Sequence, residues 1–277
     1  MKRRLLLPIL LVSLLHCYGG NEFSAKGAAE NSIGNHTTTL VNAFSIYNNQ
    51  ATAAFLKNPT IGLTYHSSYF PVNINTIALT GAAPLSFGTI GGSFEYFGNS
   101  LYTEMKLGLA YAMKLGSRAS IGIQLDYLNS SAHNYGIQHY VTFELGVLYR
   151  PIEQVSIGAH IYNPVKWTVD ETSGELLPIV FNIGLSYRPF DQLTILAELE
   201  KDIIHPFNLK GGIAYEVVPS FTVRAGFNTQ PTLFSFGVGY KMKNLLTIDV
   251  ASNYHLDLGF NTSVSLSFEF SKKDDKQ

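Results

Sequence analysis

The residues able to do nucleophilic, acid–base or metal chemistry are dispersed along the chain. Among 277 residues there are eight His, one Cys and 20 Asp+Glu. No two histidines stand at a spacing typical of metal ligands. The sequence holds no Gly-x-Ser-x-Gly elbow, no His-Glu-x-x-His and no phosphate loop. The nearest approach to a nucleophilic pair is Tyr65-His66-Ser67-Ser68. Successive strand residues point to opposite faces, so His66 and Ser67 cannot cooperate. His66 and Ser68 share a face, but no carboxylate is placed to orient them. The segment reads as polar residues at a strand end, and the chain as a non-enzyme without metal or cofactor.

What remains is a set of charges of both signs in one phase of an alternating pattern. They are Glu104, Lys106, Asp126, Glu144, Glu198, Glu200, Lys210, Glu216, Arg224, Asp249 and Glu269. On the inner face of a narrow cylinder such groups must pair or stay hydrated. They line a polar pore, contact a plug, or form an internal salt-bridge network that stiffens the wall.

The elements that position them are strands. In 104–114, Met105, Leu107, Leu109, Tyr111 and Met113 oppose Glu104, Lys106, Gly108, Ala110, Ala112 and Lys114. The same two-residue period runs through 119–127, 141–149, 179–187 and 258–270. A soluble sandwich also alternates, but four features favour a membrane barrel. Runs of ~10–13 residues suit tilted strands crossing a bilayer. The polar face carries Gly108, Gly122, Gly146, Gly158, Gly184, Gly212, Gly226, Gly237, Gly239 and Gly259, which suggests sharp curvature or something packed closely against it. Gly-x-x-Tyr recurs, ending in Tyr65, Tyr111, Tyr149, Tyr187, Tyr215 and Tyr240, each expected to close an apolar face just before a turn, as in an aromatic girdle. Short turns at 150–154 and 188–192 contrast with polar links at 129–139 and 163–177, the latter holding Trp167. The two short turns belong to an internal repeat, in which Phe143–Tyr149 resembles Phe181–Tyr187.

Composition agrees. Charged residues make up 14%, against about 25% in ordinary soluble domains. A net charge of −1 excludes a general nucleic-acid binder. A single Cys excludes a disulfide framework, and 46% hydrophobic residues exclude a disordered chain. After residue 25 no run is long enough for a membrane helix.

Residues 1–25 read as a secretory signal, with Lys2, Arg3 and Arg4 ahead of an apolar stretch Leu5–Leu15 and cleavage between 19 and 26. His16 stands before Cys17 where a lipoprotein needs a small residue. Residues 26–58 do not alternate; moderate helical spacing over 43–56 and the glycine-rich inner face favour a plug within the lumen. Strands are expected near 60–70, 74–83, 86–97, 101–114, 117–129, 139–150, 153–162, 178–188, 192–202, 206–217, 220–228, 231–242, 245–254 and 257–270, fourteen in all, with twelve as the fallback. Residues 59–270 thus form a transmembrane antiparallel β-barrel and 271–277 a polar tail.

The stretch Ala43-Phe-Ser-Ile-Tyr-Asn-Asn-Gln-Ala-Thr-Ala-Ala-Phe-Leu56, after a glycine-rich segment, resembles the start of FadL-like outer-membrane proteins. Those open with a Gly/Ala-rich stretch ending in an Asn-Pro-Ala-Gly-Leu type motif. Gln50 stands here at the Pro position and Thr52 at the Gly position. Within that group the chain looks most like the PorV/PorQ type associated with type IX secretion. The resemblance implies a Gram-negative outer-membrane barrel with an N-terminal hatch, in contact with membrane lipid. It implies either passage of small hydrophobic solutes or service as a secretion-associated barrel. The alternatives are a non-transporting barrel that binds a protein partner, such as a secretion-system component, and a soluble exported β-sandwich.

Overall fold

Alternation in one strand is useful only if the next strand alternates in the same phase, and here that match runs the whole way round. The computed structural model describes residues 23–68, 74–133, 136–170, 175–203, 205–243 and 245–270. Its strands are β1 (Thr60–Ser68), β2 (Ile74–Leu85), β3 (Gly88–Gly98), β4 (Tyr102–Leu115), β5 (Ala119–Ala132), β6 (Gly136–Ile152), β7 (Val155–Tyr162), β8 (Thr168–Asp170) and β9 (Glu175–Leu176). They continue as β10 (Val180–Phe190), β11 (Leu193–Asp202), β12 (Asn208–Val218), β13 (Phe221–Thr229), β14 (Thr232–Met242), β15 (Leu246–His255) and β16 (Gly259–Glu269). Each wall strand pairs antiparallel with the next, β7 with β10 across a long connection, and β1 with β16 from Thr60↔Glu269 to Ser67↔Thr262. The result is a closed barrel of fourteen strands, with β8 and β9 forming a separate hairpin in the β7–β10 connection. Closure leaves no unpaired strand edge, the condition for a sheet in hydrocarbon.

The outward phase is greasy. Ile61, Leu63, Leu107, Leu145, Ile183, Ile213, Val238 and Leu266 are all exposed. Exposed apolar side chains on every side of a closed wall are a lipid-facing belt, so the soluble sandwich is ruled out. The wall is an outer-membrane barrel in architecture.

The inward phase meets residues 23–58. This hatch contains three single helical turns, α1 (Ala28–Asn31), α2 (Ser45–Asn48) and α3 (Gln50–Ala53), almost wholly buried. The α1 turn packs on β14–β16, α2 on β2 and β3, and α3 on β4–β6, so the hatch spans the lumen. The helical spacing over 43–56 thus becomes two short turns; α1 had no counterpart in the sequence reading.

The inward glycines explain how it fits. A Cβ on Gly122 would come 2.5 Å from the Ala51 nitrogen, one on Gly212 2.6 Å from the Ile33 carbonyl, and one on Gly62 3.0 Å from the Phe44 ring. Gly146, Gly158, Gly184, Gly226 and Gly237 likewise face hatch atoms. Gly34 on the hatch, at φ 75°, would put a Cβ 2.5 Å from the Phe227 carbonyl, so here glycine is required on conformational and steric grounds. Two of the glycines expected to face a packed body serve wall side chains instead. Gly108 clears Ser93 and Gln124, and Gly239 clears Arg224 and Asp249. Gly259 is neither; it has φ 81° and opens β16 from a turn.

One expected loop is strand. Residues 129–139 were read as a polar link, but β5 and β6 stay paired through Asn129↔His139 to Ala132↔Gly136. Beyond the hydrocarbon both faces of a ribbon see water, so the apolar alternation that marks a strand fades there although pairing continues. The leader expected at 1–25 falls outside the described residues up to 22, as does the tail 271–277.

Replacing Gly122 or Gly212 by Val should unseat the hatch at a cost of roughly 1–3 kcal/mol, the range for overpacking a fitted interior. The outward change Ala225→Val should not. Protease cutting within 23–58, at unchanged heat-modifiable mobility of the barrel, is the measurement; equal protection in all variants would mean the glycines do not seat the hatch.

Candidate functional site

The lumen is polar because the outside cannot be, and its charges gather into three clusters, two of them in direct contact with the hatch. The first lies on four consecutive strands, β4 to β7. The Lys106 ammonium pairs with the Glu144 carboxylate and stands 3.8 Å from Asp126. The His160 ring is 2.8 Å from the other Glu144 oxygen. Gln50 of the hatch donates to Glu144 at 2.7 Å. Hatch Tyr47 lies against the same ammonium, with Lys106 Nζ 4.4 Å from its ring centre and 4.8 Å from that of Tyr162. The Tyr47 hydroxyl donates to Glu95 of β3, which also pairs with hatch Lys26 at 2.8 Å. Two cations thus flank one hatch tyrosine, since Lys26 Nζ is 4.8 Å from that ring.

The second cluster is a backbone clamp. Glu198 of β11 and Lys210 of β12 face each other in register and pair at 2.9 Å. Glu200 pairs with the same ammonium at 2.8 Å. The Thr37 and Thr38 amides each donate to Glu198 at 2.9 Å, and the Thr38 hydroxyl at 2.8 Å. Lys210 donates to the Asn35 carbonyl at 3.0 Å. Carboxylate and ammonium therefore read the N–H and C=O groups of one hatch turn. Hatch His36 has Nδ1 3.6 Å from Glu198, and its Nε2 is 2.6 Å from the Thr39 hydroxyl. Burial holds its imidazole below the ordinary value, with Glu198 opposing the shift and Lys210 adding to it.

The third cluster bridges a gap in the wall lining. Arg224 of β13 and Asp249 of β15 pair at 2.7 Å across β14, where Gly239 has no side chain to obstruct them. Fully buried Glu30 of α1 lies within electrostatic reach of both. Burial pushes its carboxyl up to about 7; a hydrogen bond from Asn42, 2.6 Å, opposes the shift, and the Asp249 charge adds to it.

The remaining sequence candidates sit at the rims. Glu104 accepts from Tyr102 at 2.7 Å at the loop end of β4. Glu269, at the opposite end, accepts from Asn58 of the hatch at 2.8 Å and lies 3.9 Å from Lys241. Glu216 accepts from the Ser220 amide at the β12–β13 turn. Tyr111, Tyr149, Tyr187, Tyr215 and Tyr240 all lie on the outward phase near the short-turn rim. Tyr65 does not: β1 runs the other way, placing it toward the loop rim, where its hydroxyl donates to Asn75 at 2.9 Å. Tyr96, Tyr127 and Tyr254 are exposed in the same loop-side half, so both rims carry tyrosines. Trp167 folds over the wall and donates to the Val141 carbonyl at 3.0 Å.

Sequence reasoning passed over Glu95 and His160. His160 shares the inward phase of Gly158, so period two could have found it, and Glu95 follows the same period from Ser93. Lys26, Glu30, His36, Tyr47 and Gln50 lie in the aperiodic hatch, where no pattern marks them.

Lys210→Met strands two carboxylates and should loosen the 34–39 turn by about 3–5 kcal/mol, the usual cost of breaking a buried pair from one side; protease cutting at 34–39 reports it. Docking of α1 should weaken as pH rises from ~4.5 toward ~7 and level off above, because the docked Glu30, at about 7, holds its proton where the released carboxyl has lost it. Cutting at 27–31 against pH measures this, and Glu30→Gln should flatten the profile. No protein-family model and no curated protein matches the chain. Solved structures do match in fold. The toluene transporter TodX of P. putida aligns with TM-score 0.71 and 13% identity, over 91% of this chain and 100% of that one. The toluene transporter TbuX of Ralstonia pickettii aligns with TM-score 0.68 and 12% identity, over 90% and 99%. A Pseudomonas aeruginosa FadL homologue aligns with TM-score 0.68 and 12% identity, over 90% and 100%. The fold is that of the FadL-like outer-membrane barrels.

Proposed function

We propose that this chain is an outer-membrane barrel that passes small hydrophobic solutes, with residues 23–58 as its gate. The observation that carries this reading is how the hatch is held. It is seated by glycines and by two polar clusters of the wall, and among the described residues the apolar cluster it shares with the wall is small: Ile46, Ala53, Ala54 and Leu56 against Ala82, Ala110 and Ala112. Hydrogen bonds and ion pairs of this kind can be traded for water when a plug moves. A large apolar interface could not. The inward charges Lys106, Glu144, Glu198 and Lys210 are on this reading the holdfasts of the gate, with Asp126, Glu200, Arg224 and Asp249 as wall charges around them, and the rim tyrosines anchor the barrel at the two headgroup layers. Structures of the same fold include transporters of toluene and a monoaromatic hydrocarbon channel, CymD, which supports an apolar cargo and a transport rather than a catalytic role.

A secretion-associated barrel of the PorV/PorQ type, binding a protein partner, is the second reading. What favours it is a lumen filled from β2–β6 on one side to β14–β16 on the other. The two separate on uptake of radiolabelled toluene by intact Gram-negative cells, whose lipopolysaccharide leaflet resists such solutes. Transport predicts faster uptake when the barrel is expressed. It also predicts loss of that gain in Gly62→Cys/Ala43→Cys under oxidising conditions, where the new side chains would meet across a gap of 3.1 Å between Cβ positions, close to the ~3.5–4.5 Å of a disulfide. No gain over cells lacking the barrel, together with copurification of a secretion component, would refute transport and support the second reading.

A further inference from the structure

The outer face holds a feature that neither strand alternation nor the hatch explains. Gly81 of β2 and Gly92 of β3 are direct partners in the ladder, both on the outward phase. The inward glycines are forced by what they touch; these two are not. A Cβ on Gly81 would come no nearer than 3.9 Å to any neighbour, the Thr60 carbonyl. One on Gly92 would stand 3.5 Å from the Gly108 carbonyl and 3.9 Å from Leu109, both ordinary van der Waals contacts. Neither residue is among those with positive φ. Mid-strand glycine weakens a strand, so an unforced pair needs another reason.

Their effect is a groove in the lipid-facing belt. It has glycine at its floor and Ile61, Leu109 and Leu125 along its flanks. Toward the short-turn rim it has a volume of about 790 Å³ and reaches Phe270. An adjoining stretch of about 660 Å³ shares the same floor and flanks and reaches Val141 on the other side. Leu109, at 75% exposure, is the most exposed large apolar side chain among the described residues. The groove thus runs along the wall, within the apolar belt, and the outward side chains lining it are aliphatic or aromatic.

We propose that this groove binds one acyl chain of a membrane phospholipid, laid along the wall over the Gly81–Gly92 pair. A dent in hydrocarbon surroundings forfeits dispersion contacts on one side unless something fills it. The groove opens on the bilayer interior, which supplies flexible aliphatic chains, and the side chains that face outward along it carry no charge, Asp126 beneath it pointing into the lumen. A rigid partner, such as a second barrel, would have to present a matching ridge. This inference stands apart from the transport reading, since it concerns the outer face alone.

The full-length barrel in nanodiscs of phosphatidylethanolamine carrying a mid-chain diazirine tests it. Photolysis and peptide mapping should concentrate lipid adducts on 77–94 and 105–125. In Gly81→Leu/Gly92→Leu those adducts should fall about tenfold, equivalent to ~1.4 kcal/mol of lost binding. The control Ala197→Leu/Ala225→Leu, on the outward phase of β11 and β13, should leave them unchanged. Heat-modifiable mobility reports folding of each variant. Should the leucine pair not fold, Gly81→Ala/Gly92→Ala carries the same comparison with a smaller drop. Adducts spread evenly round the belt, adducts undiminished in the filled groove, or barrel-to-barrel cross-links at these strands would each overturn the proposal.

Discussion

A cylinder immersed in hydrocarbon can place charge on one side only. Everything else in this structure depends on that constraint. Outward positions are dominated by Ile, Leu, Val, Phe and rim Tyr, with Ala and Gly between them; the acids and bases of the wall turn inward, where burial makes an unpartnered charge costly. The lumen must then supply its own counter-charges. It does so between adjacent strands, as in Glu198–Lys210, and over a gap left by glycine, as in Arg224–Asp249. The leftover capacity of Glu198, Lys210 and Glu144 goes to the hatch, whose amides, carbonyls and side chains complete their pairing.

The hatch is therefore part of the lumen's electrostatics as well as its filler. Glu198 accepts from two hatch amides while it holds Lys210, and Glu144 is shared by Lys106, His160 and hatch Gln50. Shape and charge act together. Gly122 and Gly212 let hatch backbone approach the wall, and that approach brings hatch donors within reach of wall carboxylates.

Much of this was legible in the sequence because the barrel obeys a strict period. Leu107 and Leu109 out, Lys106 and Gly108 in, is a statement about the pleat, and one hydrophobic boundary enforces it along the wall. The fourteen strands and the inward phase of the charges follow from that alternation. Legibility failed where the boundary is absent. Past Asn129 both faces of the β5–β6 ribbon meet water and the pattern dissolves, so paired strand read as loop. Tyr65 was in phase with the other tyrosines, but phase gives the face and not the rim; its strand runs toward the opposite end. In the hatch, Tyr47 and Gln50 owe their positions to contacts with strands far away in sequence, and no local rule encodes them.

The seam between β1 and β16 bears on assembly. The Ala28 amide is held by Ser265, 237 residues downstream, and the Phe270 amide donates to the Pro59 carbonyl beside the first strand. Part of the seat of the hatch is thus built from β16, the strand that also closes the ring against β1. Ring closure and seating of the hatch are therefore coupled through one strand, and both rest on pairings distant in sequence.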